Sequence, residues 1–192
     1  MCAILQRCRF LHTPKTGGTW VRSALSASCP HVAEAAYKHV VLQNAPGQGL
    51  FTFAFVRHPW SWWKSYWLFK RTHGWDLRNR LDIRCMDNVF ERFMVKVAAT
   101  GMAECTRLFQ NFVGCDATDI QFVGHTESLA DHLVAALQRA DEPFDEQRLR
   151  DTAIANAGNY NLFSTQCSAE VRQRILDAEH EIMTRFNYSA DA

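Results

Sequence analysis

Residues 50–56 read LFTFAFV, and no other stretch constrains the fold as strongly. The run has the length of a strand but lacks polar alternation. Both of its faces must therefore be covered, as in a parallel strand buried under helices. Arg57, His58 and Pro59 follow directly, and then the aromatic segment WSWWKSYWLFK. Pro59 suits the first position of a new helix. Arg57 thus stands at the carboxyl end of a buried strand, where α/β proteins place their ligands.

The rest of the chain repeats this grammar. Apolar residues around Ile4 to Leu11 predict a first strand, and Val21, Ala24, Leu25 and Ser28 share one helical face that closes before Pro30. NAPGQG at 44–49 is turn chemistry. Phe90, Phe93, Met94 and Val97 repeat at helical spacing, and DIQFVGHTE at 119–127 predicts another short strand. Ser128 with Asp131 resembles a capping pair before a helix carrying Leu129, Leu133 and Leu137. A final amphipathic helix with Val171, Ile175, Ala178, Ile182 and Phe186 follows Ser168. Strands alternating with helices predict an α/β fold with a central parallel sheet flanked by helices on both faces. There is no internal repeat or linker, so residues 1–192 are expected to form a single domain.

Charge excludes some functions. With 21 Lys+Arg against 20 Asp+Glu the formal net charge is +1, which argues against a nucleic-acid partner. An anion site must then be a local gathering of donors. Seven cysteines without a C-x-x-C pair exclude a zinc ribbon and predict reduced, mostly packed thiols. No segment reaches the roughly 18 to 20 apolar residues of a membrane span. The first strand runs straight into a loop with no room for a signal peptide, so a cytoplasmic location is expected and Asn187-Tyr188-Ser189 reads as a chance sequon.

Two stretches carry chemistry. In FLHTPKTGGTWVRSAL, 10–25, an apolar run enters a loop of Pro14, Lys15, Thr16, Gly17, Gly18 and Thr19 before a helical pattern. The amides of Gly17, Gly18, Thr19 and Trp20 would face outward at a helix N-terminus, where the dipole favours an anion. The hydroxyls of Thr16 and Thr19 would add donors and Lys15 a mobile charge. Lys15 precedes the glycines, the reverse of the triphosphate loop G-x-x-x-x-G-K-[ST]. In the second stretch, FAFVRHPWSWWKSYW at 53–67, Arg57 can grip a phosphate with two parallel hydrogen bonds and Ser65 can complete the contact. Most of the tryptophans there are expected to pack the core.

In this order the two stretches resemble the sulfotransferases that use 3′-phosphoadenosine 5′-phosphosulfate. That family has a P-K-x-G-x-T-x loop for the 5′-phosphosulfate, matched by Pro14, Lys15, Gly17, Thr19 and Trp20. It also has an arginine, a proline and a serine eight residues beyond the arginine for the 3′-phosphate, matched by Arg57, Pro59 and Ser65. FVGHTESLADHL and EIMTRFNYS look like its later strand–Glu–Leu segment and closing helix. The resemblance implies a P-loop-like sulfotransferase fold and transfer of a sulfuryl group to a hydroxyl or amine, with Lys15 stabilising the leaving 5′-phosphate. An alcohol acceptor needs a base. Glu34, His39 and Tyr37 lie between the motifs, and AYKHVVLQN, 36–44, resembles uronyl 2-O-type carbohydrate sulfotransferases, where a histidine serves. His39 is therefore the expected base, with Glu34 second. A small-molecule or glycan acceptor is implied. The Arg-Lys-Gly segment of the aryl and steroid branch is replaced here by IANAGNYNLFSTQ, where Tyr160 and Phe163 are candidates to stack on adenine or simply to pack.

Two rival readings are a P-loop kinase-like enzyme using ATP and a non-catalytic nucleotide-binding relative. A triphosphate would want one cradle and a magnesium-binding acid. Arg57 follows the LFTFAFV strand where that acid would stand, so no required metal is expected.

Overall fold

A computed structural model describes residues 2–116, 118–153 and 163–190. The chain divides into two compact units. The first comprises Met1–Arg57 with Leu108–Asn156, and the second His58–Arg107 with Ala157–Ala192.

The first unit holds a five-strand sheet of order β3-β1-β2-β4-β5: β1 is Cys2–Ile4, β2 Cys8–Leu11, β3 Ala33–Ala35, β4 Phe51–Val56 and β5 Phe122–His125. β2, β4 and β5 pair in parallel, whereas β1 runs antiparallel to β2 and to β3. The sheet is therefore mixed, which corrects the expectation of a purely parallel one. The cause lies in the predicted first strand, which folds back as a hairpin. At its turn the Leu5 amide bonds the Cys8 carbonyl at 2.8 Å, and the Gln6 and Arg7 amides donate to the Glu142 carboxylate at 3.2 and 2.6 Å. A carboxylate 135 residues from Arg7 thus satisfies a turn that has no glycine or proline of its own.

One face of this sheet buries Phe10, Phe53 and Phe55 under helix α1 (Gly18–Ser28) and a later helix, Leu129–Arg139, numbered α6 below. Phe10 stacks on Phe53 with ring centroids 5.4 Å apart. On the other face Arg9 is buried, with Nε on the Thr52 hydroxyl at 2.8 Å and Nη1 on the Ala45 and Pro46 carbonyls at 2.9 and 2.8 Å. A charge so placed is tolerated because its donors are met.

The second unit is helical. Helix α2 (Pro59–His73) starts on Pro59 as the sequence predicts, with the His58 ring accepting from the Trp60 amide. It packs on α4 (Phe90–Thr100) and on α8 (Ala169–Ala178). Trp60, Trp62, Trp63 and Trp67 are all buried, so they serve packing. Asp82, on α3 (Arg80–Cys85), is fully buried and receives the Tyr66 hydroxyl, the Lys70 ammonium at 2.6 Å and the Asp76 amide at 2.7 Å. The expected final helix breaks at Glu179 into α8 and α9 (His180–Arg185). Glu179 is buried and accepts from the Cys105 and Thr106 amides, each at 2.8 Å, at the start of α5 (Glu104–Val113). Burial raises its pKa, while those donors oppose the shift.

Two sequence details differ. Ser128 precedes α6 but makes no capping bond, and Asp131 pairs with Arg150, which lies on α7 (Glu146–Arg150), at 2.8 Å. The seven cysteines are free thiols. Among the described residues no helix is long and apolar enough to cross a membrane.

Candidate functional site

In the first unit, β2 ends at Leu11 and the chain passes through residues 12–17 into α1 at Gly18. Lys15 has φ 64° and Gly17 φ 78° with ψ 8°, so two left-handed residues flank Thr16. Left-handed residues in a turn set successive amides toward one concavity, the geometry that receives anions. The first turn of α1 contains no acidic residue, and its N-cap, Gly17, has no side chain to bond the leading amides. Such leading amides and the positive end of the helix dipole suit an anionic acceptor.

The loop residues divide by role. Thr16 is fully buried and its hydroxyl donates to the Thr13 carbonyl at 2.9 Å, so that oxygen holds the loop together. Thr19 is half-buried in the first helical turn. Trp20 is buried, its indole N–H bonding the Thr152 carbonyl at 3.0 Å. The two glycines answer to neighbours within the protein. A Cβ on Gly17 would lie 2.5 Å from Leu129, and one on Gly18 would lie 2.1 Å from the His12 ring. These glycines are what lets α6 and His12 close on the loop.

Arg57 follows β4, the parallel neighbour of β2, and its Nη1 donates to the Lys15 carbonyl at 3.2 Å. The two motifs meet here: the guanidinium of one grips the backbone of the other. Ser65 lies half-buried on α2 in the second unit. Its pairing with Arg57 stays a reading of the sequence. Phe163, also in the second unit, packs 5.9 Å from the Trp67 ring with the Arg71 guanidinium 4.8 Å over it. Tyr160 falls outside the described residues.

The candidate bases separate cleanly. Glu34 sits on edge strand β3 opposite Ala3, half-exposed and forked by Arg22, whose Nε lies 2.7 Å from Oε1. Tyr37 is exposed. His39 is half-buried, and its Nδ1 lies 3.0 Å from the His12 carbonyl. A carbonyl can only accept, so in the neutral ring Nδ1 carries the proton and Nε2 the lone pair. Burial lowers the His39 pKa, the bond to His12 raises it, and Lys38 and Lys15 lower it further. The neutral, proton-accepting form is thereby favoured at neutral pH. His39 also has φ 146°, a conformation that side chains other than glycine rarely adopt.

His12 is the residue that sequence reasoning missed. It lies on the bridge between strand and loop, 4% exposed, with its ring centroid 4.8 Å from that of His39 at a 70° angle. Burial first, then His39, Lys38 and Arg22, push its pKa down to about 3, so it is neutral in ordinary conditions. The available signal was its position, the second residue before Pro14 at a strand's end.

No family model, curated protein or solved structure matches the chain.

Proposed function

We propose that the protein is a sulfotransferase of P-loop-like fold that takes 3′-phosphoadenosine 5′-phosphosulfate as co-substrate and sulfates a hydroxyl of a small-molecule or glycan acceptor. The observation that carries the reading is the uncapped start of α1 facing a loop with left-handed Lys15 and Gly17, with Arg57 donating to that loop's backbone. The loop fits an anion, and its lysine lies on the strand side of the glycines, as in the family that the sequence resembles.

Bound there, the co-substrate would supply a sulfuryl group on a 5′-phosphate leaving group. Lys15 and the amides of Gly17, Gly18, Thr19 and Trp20 would hold that end and stabilise charge on oxygen as the bond to the leaving group weakens. Arg57, with Ser65 on the strength of the sequence motif, is assigned to the 3′-phosphate. His39 accepts the acceptor's hydroxyl proton at Nε2. Its free lone pair and lowered pKa support it over Glu34, which is already committed to Arg22.

The deciding experiment is a pair of titrations followed by a transfer assay. Adenosine 3′,5′-bisphosphate should bind by calorimetry and ATP with magnesium should not. Label from the sulfate donor should then appear on a member of a panel of sugars, glycolipid head groups and phenols. Binding of ATP–magnesium alone would move the protein to the kinase-like reading. Bisphosphate binding without transfer to any acceptor would favour a non-catalytic relative.

A further inference from the structure

We propose that His12 is a positioning residue: its imidazole, packed against both Gly18 and the His39 ring, and its carbonyl together hold His39 in the one neutral form whose Nε2 carries the lone pair. The inference deepens the reading of His39 as the base and rests on it.

Three features converge on this ring. First, the glycine at position 18 is explained by His12. Gly18 lacks the positive φ of its neighbour Gly17, so an alanine would suit its backbone, yet the added Cβ would lie 2.1 Å from Cδ2 and 2.3 Å from Nε2 of His12. Second, the same ring makes an edge-to-face contact with His39, while the His12 carbonyl accepts a hydrogen bond from His39 Nδ1–H. One residue thus fixes both where the His39 ring lies and which nitrogen is protonated. Third, among the described residues His12 Nδ1 is buried with no hydrogen-bond partner. An orphaned polar atom is costly, and a phenylalanine would fill the same space without it. Stability alone therefore does not account for an imidazole here. His12 stays neutral beside His39 and adds no competing charge. The strained backbone of His39 adds to the picture, since strain persists only where surrounding contacts impose it.

The wedge also couples the loop to the base. Gly18, the first residue of α1, lies against the His12 ring, and that ring meets His39.

The test is a long-range 1H–15N correlation spectrum of protein labelled with 15N-histidine, recorded above neutral pH. In the parent, His39 should show a protonated Nδ1 and an unprotonated Nε2 as a single tautomer. In His12→Ala, which removes the wedge, and in Gly18→Ala, which displaces it, the two His39 nitrogens should move to intermediate shifts that report exchanging tautomers. Turnover of His12→Ala should fall about tenfold or more, a part of what a positioned base contributes, with the KM for the sulfate donor unchanged. If His12→Ala does not fold, Gly18→Ala decides alone. A single Nδ1-protonated His39 in the folded variants would overturn the assignment, and so would mixed tautomers in the parent. The spectra decide this whether or not sulfation is found. An active parent with mixed tautomers would remove His12 and leave the proposed function standing.

Discussion

Replacing His12 by phenylalanine should make the first unit less sensitive to acid, by an amount that its burial sets. The His12 pKa is pushed down to about 3 from an ordinary 6.5, because the folded protein strips water from the charged form and places His39, Lys38 and Arg22 nearby. The unfolded chain therefore binds a proton below pH 6.5 that the folded one refuses. The stabilisation is present above 6.5 and is lost as pH falls from there toward 3. At pH 5, some 1.5 units below the unfolded value, the loss is about 2 kcal/mol, or roughly thirtyfold in the opening constant. The ring is 4% exposed, so solvent screening takes little from this figure. The phenyl ring of His12→Phe would occupy the same place against Phe10, whose ring now stacks 6.0 Å away, and would carry no proton. The assay is hydrogen exchange of the Phe10 and Phe53 amides at pH 7 and pH 5, reading the opening free energy of neighbouring β2 and β4. The parent should lose about 2 kcal/mol more than His12→Phe between the two conditions. Equal losses would refute the claim that His12 is held neutral in the fold.

Three further outcomes are expected. Arg57→Ala, and on the sequence motif Ser65→Ala, should weaken binding of adenosine 3′,5′-bisphosphate by about 1.5 to 3 kcal/mol and that of adenosine 5′-phosphate far less, measured by calorimetry; equal losses would remove these residues from the 3′-phosphate. Lys15→Ala should fold, bind the bisphosphate measurably and lose most turnover, because charge on the leaving oxygen is greatest in the transition state; turnover near the parent's would remove Lys15 from the mechanism. The parent's rate should rise with pH through an apparent pKa below 6.5, the direction in which His39 is shifted, and His39→Ala should cut turnover about 10² to 10⁴-fold and abolish that limb. If His39→Ala keeps the limb while Glu34→Gln is inactive, Glu34 is the base.

Local features of the sequence were legible where the signal was itself local. The apolar run at 50–56 became β4 over Phe51–Val56, Pro59 opened α2 and the tryptophans went to the core. The features that escaped depend on partners far along the chain. The β1–β2 hairpin turns at Gln6 and Arg7, residues with no turn preference, because Glu142 caps their amides. The final helix breaks at Glu179 because its carboxylate is drawn to the amides of Cys105 and Thr106. In the candidate site, loop and arginine were readable from residue type and order. The His12 wedge was not, since an imidazole two residues before Pro14 acquires meaning only when Gly18 and His39 both stand against it. The two loop glycines were visible, but part of their reason, the packing of Leu129 and His12, was not.

The order of the two units along the chain has a consequence for biosynthesis. The polypeptide contributes to the first unit, then the second, then the first again and then the second again. A growing chain that has completed β4 cannot add β5 until the intervening segment of the second unit has been made. The second unit in turn waits for α8 and α9, which follow the later segment of the first unit. Neither sheet nor helical cluster can be finished early, and nascent apolar surface such as Phe53, Phe55 and the tryptophans of α2 must be shielded meanwhile. The same interleaving means that a single break within the chain cannot release either unit whole, so separate expression of one unit would require joining two distant segments.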